Sequence, residues 1–169
     1  MSAALSLSPL PEGVTPRSHV IFAGWFYAAG GVALSVFGPG LEAIREEFDL
    51  EYAGVGAALA VLGVGYIAGS LVGGSVVGRV GARLSIITGV VVAALGMTLA
   101  GASPTLTAFL GGLVLASVGW GVGEVAIATI IAGSGGRTAV RDLNLAQIGF
   151  AVGAIVAPII VGGSFLCGW

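Results

Sequence analysis

Charge is what this sequence has least of. Only 8% of its 169 residues are Asp, Glu, Lys or Arg, too few to clothe soluble helices, which need a polar face toward water. The one cysteine, Cys167, excludes an intrachain disulfide and any CxxC metal motif. The one histidine, His19, cannot build a metal cluster and is read as an interfacial structural residue. A net charge of −2 supplies no basic surface, so no nucleic-acid partner is expected. No nucleophile–base pair is apparent, and the glycine clusters sit inside apolar runs without the lysine of a phosphate loop. Neither an enzyme nor a cofactor is therefore expected. The apolar–polar alternation of a transmembrane β-barrel is missing as well.

What is present is long apolar sequence, with a mean hydropathy of +1.09. A membrane-spanning helix needs about 20 mostly apolar residues. Uncharged runs cover 20–41, 52–78 and 84–123, and the last divides at Gly101-Ala-Ser-Pro-Thr105. Ser103 is expected to cap the helix that follows, with Pro104 in its first turn. Helices are predicted over 20–41, 53–77, 84–101, 104–132 and 143–166. The fold class is all-α, a polytopic transmembrane bundle of about five helices over 19–169. It follows a short tail over 1–18 that carries Pro9, Pro11 and Pro16 and lacks the layout of a cleaved signal peptide. Gly38-Pro39-Gly40 is expected to stop the first span, and Pro158 to bend the fifth. Asp49 and Asp142 are expected as caps of the second and fifth spans.

Basic residues in short loops mark the cytoplasmic side. Arg17, Arg79, Arg83, Arg137 and Arg141 fall on one side of the predicted topology. Only Arg45 falls on the other, among Glu42, Glu46, Glu47, Asp49 and Glu51. The N-terminus is therefore predicted inside the cell membrane. The acidic first loop is predicted outside, as a solvated connection, with a cation funnel as the competing reading.

Lipid offers no hydrophobic reward for helix contact, so small residues that let backbones approach have to supply the attraction. The second span carries Gly65, Gly69 and Gly73 on one ridge and Ser70, Gly74 and Gly78 beside it. The fourth has Gly119 and Gly123, and the fifth has Gly149 and Gly153.

Glu124 is the only ionisable acid or base inside a predicted span. It lies eight residues, roughly 12 Å, before the predicted inner end of the fourth span, near the bilayer midplane. An acid there is costly unless it faces the bundle interior, a wet cavity or a partner. A carboxyl that takes up and releases a proton there is the candidate carrier of a coupling proton. The alternative is a permanently protonated acid bonded to a neighbouring helix. Trp120, one turn earlier, shares its face, either to pack or to stack on a planar solute. Asn144 and Gln147 share a face at the inner end of the fifth span, either to bind a solute's hydroxyls or to bond across to the fourth.

The stretch Gly74-Ser-Val-Val-Gly-Arg79-Val-Gly81-Ala-Arg83 resembles the signature between the second and third helices of the major facilitator superfamily. Gly74, Arg79, Gly81 and Arg83 match it, whereas Gly78 stands where the family usually has Asp and Ala82 where it often has Arg. Phe37 to Phe48 resembles the family's exit from its first helix, and Gly119-Trp-Gly-Val-Gly123 its fourth helix. Asn144-Leu-Ala-Gln147 with Gly149, Gly153 and Pro158 resembles the fifth helix of fucose-permease-like members. The resemblance implies transport of a small solute, sugar-like or drug-like, by alternating access, with proton coupling. Glu124 stands where such symporters carry an acid, while their acid on the first helix has no counterpart here. Gly74, Arg79, Gly81 and Arg83 would form the gating loop, with topology marking alone as the simpler role for the two arginines. Family members have twelve helices in two halves, so the sequence matches an N-terminal portion and further helices from the remainder are expected partners. A non-transporting membrane scaffold or subunit is the alternative.

Overall fold

The computed structural model describes residues 15–166; most of the tail expected over 1–18, and Cys167, lie outside the described residues. Six α-helices follow in order: α1 (Arg17–Ser35), α2 (Phe37–Glu47), α3 (Tyr52–Val80), α4 (Ala82–Gly101), α5 (Leu106–Gly135) and α6 (Ala139–Leu166). No strand occurs among the described residues. Four helices, α3 to α6, are long and apolar enough to cross a membrane, and α1 with α2 makes a fifth candidate bent by 52°. Trp25, Ile67, Leu71, Ile87, Ile155 and Ile159 all point outward. So much exposed apolar surface marks an interaction site or an aggregation hazard in water; here lipid is its solvent, and the protein is a multi-pass membrane protein.

Several local expectations differ from the structure. The first span does not end at Gly38-Pro39-Gly40. The helix breaks at Val36, and those three residues lie in the first turn of α2. Pro39 is tolerated there because backbone N–H groups of a first turn have no intrahelical partner anyway. The predicted acidic loop is mostly helix, with Arg45 bonded to Glu42 at 2.6 Å and placed 5.3 Å from the Tyr52 ring. Its apolar side packs Phe37, Ile44 and Phe48 onto Ala100, Phe109 and Leu113.

Two helix starts also differ from the expectation. Thr105, not Ser103, caps α5, accepting from the Ala108 N–H at 3.4 Å. The Ser103 hydroxyl instead donates backward to the Leu99 carbonyl. Asp49 caps nothing: it has a positive φ of 47°, and Glu51 holds the N-cap of α3 without a side-chain bond. Asp142 sits inside the first turn of α6, buried, accepting from Thr138 at 2.7 Å and from Arg141 at 3.0 Å. Pro158 lies within α6, which runs on to Leu166.

Small residues set three close crossings. Gly65, Gly69 and Gly73 of α3 meet Ser117, Val118 and Val122 of α5. A side chain at Gly69 would strike the Val118 backbone. Gly149 and Gly153 of α6 meet Gly24 and Ala28 of α1 in the same way. Gly89 and Gly96 of α4 lie against Gly119 and Ala116 of α5. The second ridge of α3 is less used, since Gly74 and Gly78 face open space. One core cluster joins Ala23, Phe26, Tyr27, Ile86, Ile127 and Ala146 toward the arginine-bearing helix ends, with Val20, Val77 and Ala82 against it. The phenylalanine cluster beneath α2 closes the other end.

Candidate functional site

Glu124 is set in α5 between the glycine faces that hold α3 and α4. Gly121 brings α5 against the α3 backbone at Tyr66 and Ser70, and Gly123 lies 3.0 Å from the Phe26 ring when given a Cβ. This close packing delivers two phenols to one carboxyl. The Tyr66 hydroxyl of α3 donates to one Glu124 oxygen at 2.7 Å. The Tyr27 hydroxyl of α1 donates to the other at 3.4 Å, a long and weak bond. Gln147 of α6 lies beside the Tyr27 hydroxyl. The carboxyl therefore touches helices on both sides of α5.

Trp120 shares the Glu124 face and is engaged in packing. Its indole stacks on Phe26 with centroids 4.1 Å apart and planes 16° apart. The far edge of the ring fills the space where Gly30 has no side chain. Phe26 in turn meets Tyr27 edge-on, with centroids 5.8 Å apart and planes at 84°. The acid thus sits in an aromatic surround built from α1, α3 and α5.

Asn144 and Gln147 part company. Gln147 meets α1 rather than the fourth span. Asn144 lines a shallow surface depression with Val140, Arg141, Leu145 and Ile148. Neither bonds across to α5 among the described residues. The stretch expected as a gating loop is hardly a loop: Gly74 and Arg79 are in the last turns of α3, and Arg83 is in the first turn of α4. Only Gly81 lies between the helices, at φ 83° and ψ 158°, a conformation essentially restricted to glycine. Among the described residues, neither Arg79 nor Arg83 makes an ion pair.

Chemically, a carboxyl with two hydroxyl neighbours can exist in either protonation state. Ionised, it accepts from both phenols; protonated, its own O–H can donate to a phenol oxygen. No group of three or more metal-ligating side chains occurs among the described residues.

A family model for the Major Facilitator Superfamily matches residues 21–169. The chain belongs to the major facilitator superfamily. Comparison with curated proteins and with solved structures returned no match. As a major facilitator chain it is of the transporter kind, binding small solutes and sitting in lipid. Tyr27 and Tyr66 are the site residues that sequence reasoning missed. Their signal was depth. Tyr27 lies ten residues from the α1 start, and Glu124 eleven from the α5 end, so both sit about 15 Å from the arginine-bearing face at the helical rise. Tyr66, fourteen residues from the α3 end, lies within about two turns of that level.

Proposed function

We propose that this chain serves proton-coupled secondary transport of a small solute by alternating access, with Glu124 as the proton carrier. The observation that carries the reading is the bonding of Glu124 by Tyr27 and Tyr66 from two other helices, with no basic partner among the described residues. A carboxyl held by movable helices exchanges its proton when those helices move, which is how a protonation step becomes tied to a conformational one. Trp120 lies one turn before Glu124 on α5, Gln147 lies beside the Tyr27 hydroxyl, and Asn144 lies elsewhere on α6; together they are the proposed solute contacts. The fucose-permease likeness is supported by the place of Glu124 and weakened by the absence of an acid on α1.

Orientation follows from the arginines. The ends of α1, α3, α4 and α6 that carry Arg17, Arg79, Arg83 and Arg141, and the 3-10 turn after α5 that carries Arg137, face the cytoplasm in this reading, with the N-terminus on the inner side of the cell membrane. The turn at Gly81, with Gly74, Arg79 and Arg83, is the proposed gating element. Its arginines have free guanidiniums to offer carboxylates or lipid phosphates as the helices tilt.

The test is solute uptake into proteoliposomes under an imposed pH gradient, using labelled hexoses and lipophilic amines. Gradient-driven uptake that becomes insensitive to pH in Glu124→Gln supports the proposal. Uptake by Glu124→Gln with its pH dependence intact rules out Glu124 as the carrier.

A further inference from the structure

We infer that the bundle is two rigid units, α1 with α6 and α3 with α4 and α5, which shift against each other along a seam made of side chains. This division holds whether or not Glu124 carries a proton.

The glycines draw the boundary. A glycine whose missing Cβ points at another helix's backbone marks a place where two main chains touch. No rotamer can change there to let the helices part, so such a crossing moves as one piece. Between α1 and α6, Gly31 meets the Phe150 carbonyl, Gly149 the Gly24 carbonyl and Gly153 the Ala28 carbonyl. Between α3 and α5, Gly69 meets the Val118 carbonyl, and a Cβ at Gly121 would lie 2.6 Å from the Tyr66 carbonyl oxygen. Between α4 and α5, a Cβ at Gly119 would lie 2.5 Å from the Ala93 nitrogen. Among the described glycines, every main-chain approach of this kind to another helix lies inside one unit or the other.

Across the boundary the glycines face rings instead. Gly30 faces the Trp120 indole, and a Cβ at Gly123 would lie 3.0 Å from the Phe26 ring. Those two rings stack with centroids 4.1 Å apart. Tyr27 reaches Glu124 over 3.4 Å, whereas Tyr66, in the same unit as Glu124, reaches it over 2.7 Å. Nearer the arginine-bearing ends the seam is apolar, with Ala23 and Ala146 against Ile86, Ile127 and Ile131. Dispersion contacts have no direction, and side chains adjust by rotamer. Such a layer accommodates small displacements that a main-chain crossing cannot.

The covalent connections fit the same division. The chain passes between the units twice, and each passage is a break in helix. Leaving α1 it breaks at Val36, and the helices on either side are bent by 52°. Past that break, Gly38 and Gly40 have nothing within 4 Å of a would-be Cβ, so no packing stiffens the joint there. Beyond them α2 seats Ile44 and Phe48 on Ala100, Phe109 and Leu113 of the second unit. Leaving α5 the chain breaks at Gly136, whose φ of 48° suits glycine. Two joints and a compliant seam are what relative motion of two bodies needs.

Nitroxide pairs read by electron paramagnetic resonance test this on the full chain in lipid nanodiscs, with Cys167→Ser as background. Leu34, Leu59, Leu99 and Ile159 are exposed and accept labels without disturbing the core. Leu99→Cys with Ile159→Cys spans the seam. Leu34→Cys with Ile159→Cys lies within the first unit, and Leu59→Cys with Leu99→Cys within the second. Expected is a distance distribution about twice as wide across the seam as within either unit. Trp120→Ala removes the largest ring of the seam and should widen the cross-seam distribution further, leaving the other two unchanged. Trp120→Phe takes its place if the alanine variant loses its helical circular dichroism. Widening confined to the cross-seam pair, in the parent or in the variant, upholds the two units. Equal widths for all three pairs in both proteins, or widening of a within-unit pair as well, overturns them.

Discussion

Tyr66 and Glu124 are 58 positions apart in sequence, and the tyrosine hydroxyl donates to the carboxyl at 2.7 Å. The Tyr27 bond to the same side chain is 3.4 Å. Hydrogen bonds to charged groups contribute about 1.5–3 kcal/mol, and they weaken with length. Tyr66→Phe is therefore expected to lower pH-driven uptake by about tenfold or more, and Tyr27→Phe by a smaller factor. Side-by-side uptake rates of the two variants in proteoliposomes check the order; a larger loss in Tyr27→Phe contradicts it.

Glycines that look alike in sequence differ in what surrounds them. Gly69 lies against the Val118 backbone, while Gly74 faces open space. Gly69→Ala must separate α3 from α5, at a cost of about 1–3 kcal/mol or more. Gly74→Ala should be neutral or slightly stabilising, since alanine favours helix by about 1 kcal/mol over glycine. Thermal unfolding in detergent compares them directly, and equal melting temperatures would contradict the α3–α5 crossing.

Gly81 tests backbone conformation apart from crowding. Nothing lies within 4 Å of its missing Cβ, yet its φ is +83°. Gly81→Ala should cost about 1–3 kcal/mol through strain alone. Gly78→Ala, helical and equally open, should cost nothing. Melting temperatures of the two variants separate strain from contact.

The proposed topology makes a labelling prediction. With Cys167 replaced by Ser, single cysteines at Ser18 and Arg83 should react only with reagent on the cytoplasmic side. One at Glu47 should react only from outside. Labelling of Ser18 and Arg83 from opposite faces would falsify the arrangement.

The spans were legible because hydrocarbon tolerates so little: five uncharged stretches and one acid leave few alternatives. Glu124 stood out for the same reason. Tyrosine is at home both in lipid interfaces and in packed interiors, so Tyr27 and Tyr66 carried no comparable signal until their depths were matched to the acid. The Gly74–Arg83 stretch looked like a loop because glycines and arginines usually mark one. Near a membrane, helix continuation satisfies the backbone without water, and α3 accordingly runs through to Val80 before the one-residue turn. The same preference turned the acidic connection after Val36 into α2.

Trp120 is clasped between the Phe26 ring and the bare backbone at Gly30. A slide of α1 by a single residue would expel the indole from its notch, whereas swivelling about it would leave the clasp intact. The ring is in effect an axle pin: it resists piston strokes of the first helix more than tilting about it.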